Sequence, residues 1–163
     1  MIRVVLDSNV YVSALLFGGN PRAVLQWGQK GSYELMVCRA ISDEVGRTLR
    51  FKFNWSEAQI SAIAGAIWRT AQWVEPQITV TDCSDDDDNR VLECALESNA
   101  SVIVSGDRHL LALHPYRGIA ILTAKQFLER RGWESLQTDA EPRARRETWR
   151  KDRVRLGTQG LPW

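Results

Sequence analysis

The sequence predicts a layered α/β fold built on a central, mostly parallel sheet of about five strands. Three observations predict it. Short, nearly continuous runs rich in Val and Ile recur along the chain, as strands buried on both faces require. Segments of helical spacing separate these runs, so strands alternate with helices and join through right-handed crossovers. Acidic residues directly follow two of the runs, at the carboxyl ends where an open α/β sheet carries its ligands.

Ile2–Leu6 is the first strand, and it ends in Asp7-Ser8-Asn9. Roughly residues 10–17 continue as a helix up to the breaker Gly18-Gly19-Asn20-Pro21. Pro21 opens a second helix, to about residue 29, because the first helical turn needs no N–H from it. Tyr33–Cys38 is the second strand, and residues 40–51 then place Ile41, Val45 and Leu49 at helical spacing. Ser56 and Gln59 make a capping box. Behind it Ile60, Ile63, Ala64, Ile67, Trp68 and Ala71 mark the clearest amphipathic helix of the chain. Pro76 stops that helix, and Ile78–Val80 reads as a short strand. An acidic loop leads into a helix to about residue 98, with Val91, Leu92, Ala95 and Leu96 inward. Ser101–Ser105 is the next strand, ended by Gly106-Asp107, and His109–Leu113 adds one or two helical turns. Ile119–Leu122 is the last strand and residues 124–132 the last helix.

Of the 163 residues, 44% are apolar and 25% charged, ordinary values for a globular chain with a proper core. Residues 1–137 read as one domain and residues 138–163 as a tail that is either mobile or docked. The tail holds seven Lys/Arg against four Asp/Glu, +3, which leaves −2 on the domain out of a net charge of +1. A basic end on a mildly acidic body suits nucleic acid, and equally suits a solvated charged segment. No run of about 18 apolar residues exists to span a membrane. The start, MIRVVLDSNV, lacks the basic and long apolar regions of a signal peptide. Cys38, Cys83 and Cys94 are odd in number and far apart, which suits reduced thiols in the cytoplasm better than disulfides or zinc.

Four acids stand out from this frame. Asp7 and Asp107 follow strands, although Asp is also a favoured helix cap and either one alone reads equally as a cap. Glu44 lies at the edge of the inward stripe Ile41, Val45, Thr48 and Leu49, where an unpaired carboxylate costs several kcal/mol. A salt bridge to Arg47 or Arg50, or simple exposure at the stripe's edge, is the plainer reading of Glu44. In the run SDDDDNRVLECA, Asp88 precedes Val91, Leu92 and Ala95 by three, four and seven, so it sits on the inward stripe; Asp87 is the alternative. Asp85 and Asp86 favour the helix dipole or solvent. Four carboxylates brought together repel, and a divalent cation is the economical counter-charge. All-oxygen ligands suit Mg²⁺ or Mn²⁺, whose chemistry includes phosphodiester hydrolysis. Arg90 and Arg108 are near enough in sequence to hold the scissile phosphate.

Four stretches, VVLDSNVYVSALL, AISDEVGRTL, DDDNRVLECALESNASVIVSGDRHLLAL and IAILTAKQFLE, together resemble the PIN-domain family. Within it they are similar to the VapC-like toxin ribonucleases of type II toxin–antitoxin systems. The resemblance spans residues 1 to about 130. It implies a three-layer α/β/α fold, with helices on both faces of the sheet. It also implies that Asp7, Glu44, Asp88 and Asp107 are catalytic and bind Mg²⁺ or Mn²⁺. Asn9 then supports Asp7 by hydrogen bonds, and Ser8 and Ser105 lie near the metal. The expected activity is endonucleolytic cleavage of single-stranded RNA, by a homodimer silenced by a cognate antitoxin. His109 departs from the pattern, standing where many relatives carry a further acid.

Two rivals remain at this point. One is a PIN-like module that binds RNA or antitoxin without catalysis. The other is a receiver-like domain, supported by Lys125 but opposed by Ser8-Asn9 where adjacent acids belong. His109 and His114 read as surface or capping residues. The seven tryptophans read as core or interface rather than base-stacking platforms, with Trp68 and Trp73 candidates to face a second subunit.

Overall fold

Five parallel strands form among the described residues, and the order in which they pair decides where a site can form. The structure, a computed structural model, describes residues 1–130. The strands are β1 (Arg3–Leu6), β2 (Glu34–Val37), β3 (Gln72–Trp73), β4 (Val102–Val104) and β5 (Ala120–Leu122), in the spatial order β3-β2-β1-β4-β5. The helices are α1 (Ser8–Leu16), α2 (Gly19–Gln29), α3 (Arg39–Phe53), α4 (Glu57–Trp68), α5 (Asp86–Glu97), α6 (Arg108–Leu111) and α7 (Ala124–Glu129). From β1 the chain steps outward through β2 to β3, then crosses back to β4 and β5. Right-handed crossovers in the two directions put helices on both faces of the sheet, which gives the three layers. The step reverses between β1 and β4, the place where an open α/β sheet carries its ligands, at the carboxyl ends of the strands.

The centre of the sheet is sandwiched on both faces. Val4, Val5, Leu6, Val102, Ile103 and Val104 are completely buried, as the unbroken apolar runs require. Val4 pairs with Val102 and Leu6 with Val104, so Asp7 and Ser105 leave the sheet side by side. Tyr33 ties α2, β2 and α7 together: its hydroxyl donates to the Val24 carbonyl at 2.6 Å and its ring meets Phe127 edge-on at 5.4 Å. Gly28 makes room for that ring, since a Cβ there would lie 2.7 Å from the Tyr33 hydroxyl. Tyr11 is also fully buried, against Trp68 at 4.8 Å, but its hydroxyl has no hydrogen-bond partner.

The expected elements are present, with one displaced strand; α2 begins at Gly19, ahead of Pro21, and α4 ends at Trp68, short of Ala71 and Pro76. The capping box of Ser56 and Gln59 opens α4, and Thr123 with Gln126 forms a second that opens α7. Residues 78–80 are not a strand. The strand that pairs with β2 is instead Gln72–Trp73, immediately after α4. Val80 is buried, but its N–H donates 2.9 Å to the Glu93 Oε1 of α5, so a side chain takes the group a ladder would use. The three cysteines are free thiols. Among the described residues no helix is long and apolar enough to cross a membrane. The basic tail 138–163 and the end of the last expected helix lie outside the described residues.

Candidate metal and active site

Asp7 follows β1 without a break, and α1 begins at the next residue. Its N–H donates 2.9 Å to the Val104 carbonyl, which extends the β1–β4 ladder and fixes where its carboxylate emerges. Although it occupies the N-cap position of α1, its side chain makes no cap hydrogen bond. The carboxylate turns instead to β4, where the Ser105 Oγ donates to Oδ2 at 2.8 Å, while the Ser8 Oγ lies 3.4 Å from Oδ1. Burial pushes the Asp7 carboxyl above its ordinary range; the Ser105 bond opposes this and the charge of Asp107 adds to it.

Asp107 does act as a cap. Its Oδ1 accepts from the His109 and Leu110 N–H groups at 2.7 and 3.2 Å, and its own N–H donates 3.0 Å to the Ser105 Oγ. Ser105 thus links two acids that lie a hundred residues apart in sequence. Glu44 comes from the second turn of α3 and is half-buried. Burial raises its pKa, a hydrogen bond from Ser8 opposes this, and the charges of Asp87 and Asp7 add to the rise. The Ser8 hydroxyl has one proton to share between Asp7 and Glu44. Neither arginine forms a salt bridge with Glu44: Arg47 pairs with Asp87 at 3.7 Å, acting on Glu44 only through its charge, and Arg50 pairs with Glu57 at 2.8 Å.

The acidic run sorts its members by partner. Asp85 caps α5, accepting from the Asp87 N–H at 2.9 Å. Asp87 is 49% exposed and faces Arg47. Asp88 is only 6% exposed and accepts no hydrogen bond. Burial first, and then the charges of Asp107, Asp85 and Asp7, push its carboxyl up to about 6; His109 opposes the shift. The inward member of the run is therefore Asp88.

Two expected residues stand elsewhere. Asn9 is exposed on α1, and the hydrogen bonds to Asp7 come from Ser8 and Ser105 rather than from Asn9. Arg90 is drawn away from the acids to Glu93, 3.1 Å distant, and lines a cavity beyond the ends of β2 and β3. Arg108 is exposed at the start of α6, next to Asp107. Sequence reasoning missed Asn89. Its side chain accepts from the Cys83 N–H at 2.8 Å and donates to the Cys83 carbonyl at 2.9 Å, pinning the loop that delivers Asp88. His109 is at the surface, as expected, and its charge also acts on Asp88.

Asp7, Glu44, Asp88 and Asp107 therefore flank one end of the sheet; the charge of Asp7 reaches Glu44 and Asp88, and that of Asp107 reaches Asp7 and Asp88. Among the described residues, no three acidic, His or Cys side chains converge tightly enough to chelate an ion as they stand. Asp7 is held by Ser105, Glu44 by Ser8 and Asp107 by its own helix, so closing on an ion takes side-chain rotation. The donor chemistry fits a hard divalent cation, being all oxygen, with the buried Asp88 carboxylate free of any competing donor.

A profile of the PIN domain family matches residues 3–109, about two thirds of the chain. This chain belongs to the PIN domain family. The match takes in Asp7, Glu44, Asp88 and Asp107. PIN domains are generally nucleases and usually use divalent metal ions. An uncharacterized protein of Methanocaldococcus jannaschii is 26% identical over 144 residues, covering 78% of this chain and 90% of that one.

Proposed function

We propose that this PIN domain is a Mg²⁺- or Mn²⁺-dependent endoribonuclease that hydrolyses phosphodiester bonds of single-stranded RNA. The observation that carries the reading is Asp88, a residue of low exposure whose carboxylate accepts no hydrogen bond and is set among the charges of Asp107, Asp85 and Asp7. Such a group is costly unless a cation compensates it. Asp7, Glu44, Asp88 and Asp107 would hold the ion. Bound there, a divalent cation supplies a charge partner for phosphoryl oxygens and lowers the pKa of water.

The chain's own residues do the rest. Ser105 orients Asp7 through Oδ2 and Asp107 through its N–H, so the carboxylates on β1 and β4 are set by one hydroxyl. Ser8, 3.4 Å from the Asp7 Oδ1, also acts on Glu44, more loosely than Ser105 acts on its two partners. Asp88 must give up its proton before it can ligate. Arg108, exposed beside Asp107, is the cation placed to hold a phosphate, a role Arg90 loses to Glu93.

The choice of RNA, and a toxin role with a cognate antitoxin and a homodimeric assembly, are supported by the resemblance of the four motif stretches. A small adjoining reading frame that encodes a DNA-binding protein, and neutralises the activity when co-expressed, tests that part. Asp7→Asn tests the chemistry. Loss of cleavage of single-stranded RNA at an unchanged melting temperature, together with loss in EDTA, is expected; full activity in EDTA overturns the mechanism. The lack of a ready three-ligand set among the described residues favours a second reading, a PIN-like module that binds RNA or antitoxin without catalysis. Calorimetric titration with Mn²⁺ separates the two, because that module takes up no ion.

A further inference from the structure

Beside the acids, at the same edge of the sheet, lies a cavity of about 490 Å³ that the proposed chemistry does not use. It opens where β2 ends at Val37 and β3 ends at Trp73. Its polar lining is Arg39 and Arg90 with Glu75 and Glu93, and its aromatic wall is Trp73. The volume falls within the ~300–1,000 Å³ of small-molecule sites.

Position ties the cavity to the proposed cleavage site. Ala40, another lining residue, lies one turn before Glu44 on α3, a rise of about 6 Å. On α5, Arg90 stands two residues beyond Asp88, so both helices that carry acids also form walls of the cavity.

Charge then selects the occupant. Two arginines and two glutamates sum to no net charge, which gives a bare phosphate nothing to prefer. A nucleobase needs what the cavity offers: donors and acceptors for its edge and an aromatic surface for its face. Trp73 is 52% exposed, braced by an edge-on contact with Trp68 at 6.0 Å, so its position is held while its ring remains accessible. Glu93 is itself anchored, accepting the Val80 N–H at 2.9 Å, and it holds Arg90 at 3.1 Å on the wall.

We propose that this cavity is a nucleobase pocket, in which Trp73 stacks on the base of a nucleotide flanking the cleaved bond while Arg39 and Glu75 meet its edge. The assignment rests on the reading of the protein as an enzyme of single-stranded RNA. It makes Trp73 a base-stacking residue, not the second-subunit contact expected from sequence.

The test uses the full chain carrying Asp7→Asn, so that RNA is bound and not cut, with fluorescence anisotropy of labelled single-stranded oligoribonucleotides. Trp73→Leu, which keeps apolar volume and removes the π-face, is expected to weaken binding roughly ten-fold, whereas Trp73→Phe restores most of it. An oligonucleotide with one abasic ribose at the stacked position should bind the parent as weakly as intact RNA binds Trp73→Leu, and should bind both proteins alike. Arg39→Ala, on an exposed side chain, should cost a smaller factor. Equal affinity of Trp73→Leu and its parent for every oligonucleotide overturns the pocket, as does a chain that binds no RNA. The outcomes separate from those of the nuclease reading. If wild type cleaves RNA and Trp73→Leu cleaves it with unchanged KM, the pocket fails alone. If wild type binds RNA through Trp73 and never cleaves it, the nuclease reading fails and the pocket stands.

Discussion

Two buried carboxylates on α5 have opposite surroundings. Glu93 accepts the Val80 N–H and faces Arg90, so both its oxygens are answered by positive or donor groups. Asp88, five residues earlier on the same helix, is as deeply buried and is surrounded by other acids. Burial alone does not distinguish a structural acid from a site; the partners do. Glu93 holds the 78–80 segment against the helix, whereas Asp88 costs stability until something positive reaches it.

The largest expected effect follows from removing the unanswered acid. Asp88→Asn should reduce metal-dependent cleavage by about 100-fold or more, while the metal-free protein melts at the same temperature or higher, because a repulsive charge is gone. A parallel fall in stability and activity, followed by thermal melting and a cleavage assay, would break the contrast with Glu93.

Glu93→Ala should do the reverse. It strands the Val80 N–H and the Arg90 guanidinium, at a cost of about 2–3 kcal/mol, below that of a fully buried pair because Arg90 is 39% exposed. Denaturant unfolding measures that loss, and the folded fraction should still take up Mn²⁺.

A pH series sharpens the comparison without mutation. The native state raises the Asp88 pKa from 3.8 to about 6, so it binds that proton more tightly than the unfolded chain does. Stability of the metal-free protein therefore falls as pH rises through that window, and recovers on acidification from about pH 7.5 toward 5. Affinity for Mn²⁺ should rise over the same interval as the proton leaves. Asp7 and Glu44 shift in the same direction and steepen both trends. A melting temperature independent of pH in EDTA would show that Asp88 is solvated in solution.

The smallest effect concerns Tyr11, whose buried hydroxyl has no partner. Tyr11→Phe should leave stability unchanged or raise it by about 1 kcal/mol, since no hydrogen bond is lost and an unanswered donor is removed. A clear loss on denaturant unfolding would reveal a bridging water.

Much of this was readable before the fold was known, and the exceptions have a common cause. Asp7 and Asp107 announce themselves by following apolar runs, and Glu44 by its place at the edge of a helical stripe. The choice between Asp87 and Asp88 stayed open, because both lie within helical spacing of buried residues; Arg47 settled it by drawing Asp87 outward. Glu93 carried no signal at all, since its partner Val80 lies thirteen residues back in a segment with no period. The displaced β3 has the same origin. Ile78–Val80 looks more like a strand than Gln72–Trp73, yet only the latter reaches the free edge of β2.

Local order is what the amino-acid sequence determined by itself: the alternation of strands and helices, the capping box on α4 and the acids at strand ends. Each depends on residues within a few positions of one another, where spacing and side-chain type carry the physics. The fold alone decided which acids acquire partners. Ser105 reaching Asp7 across 98 positions, Glu93 meeting the Val80 N–H, and Trp73 sharing a cavity with Arg39 and Arg90 are consequences of strand order. Strand pairing brings together groups whose separation along the chain says nothing about their distance in space.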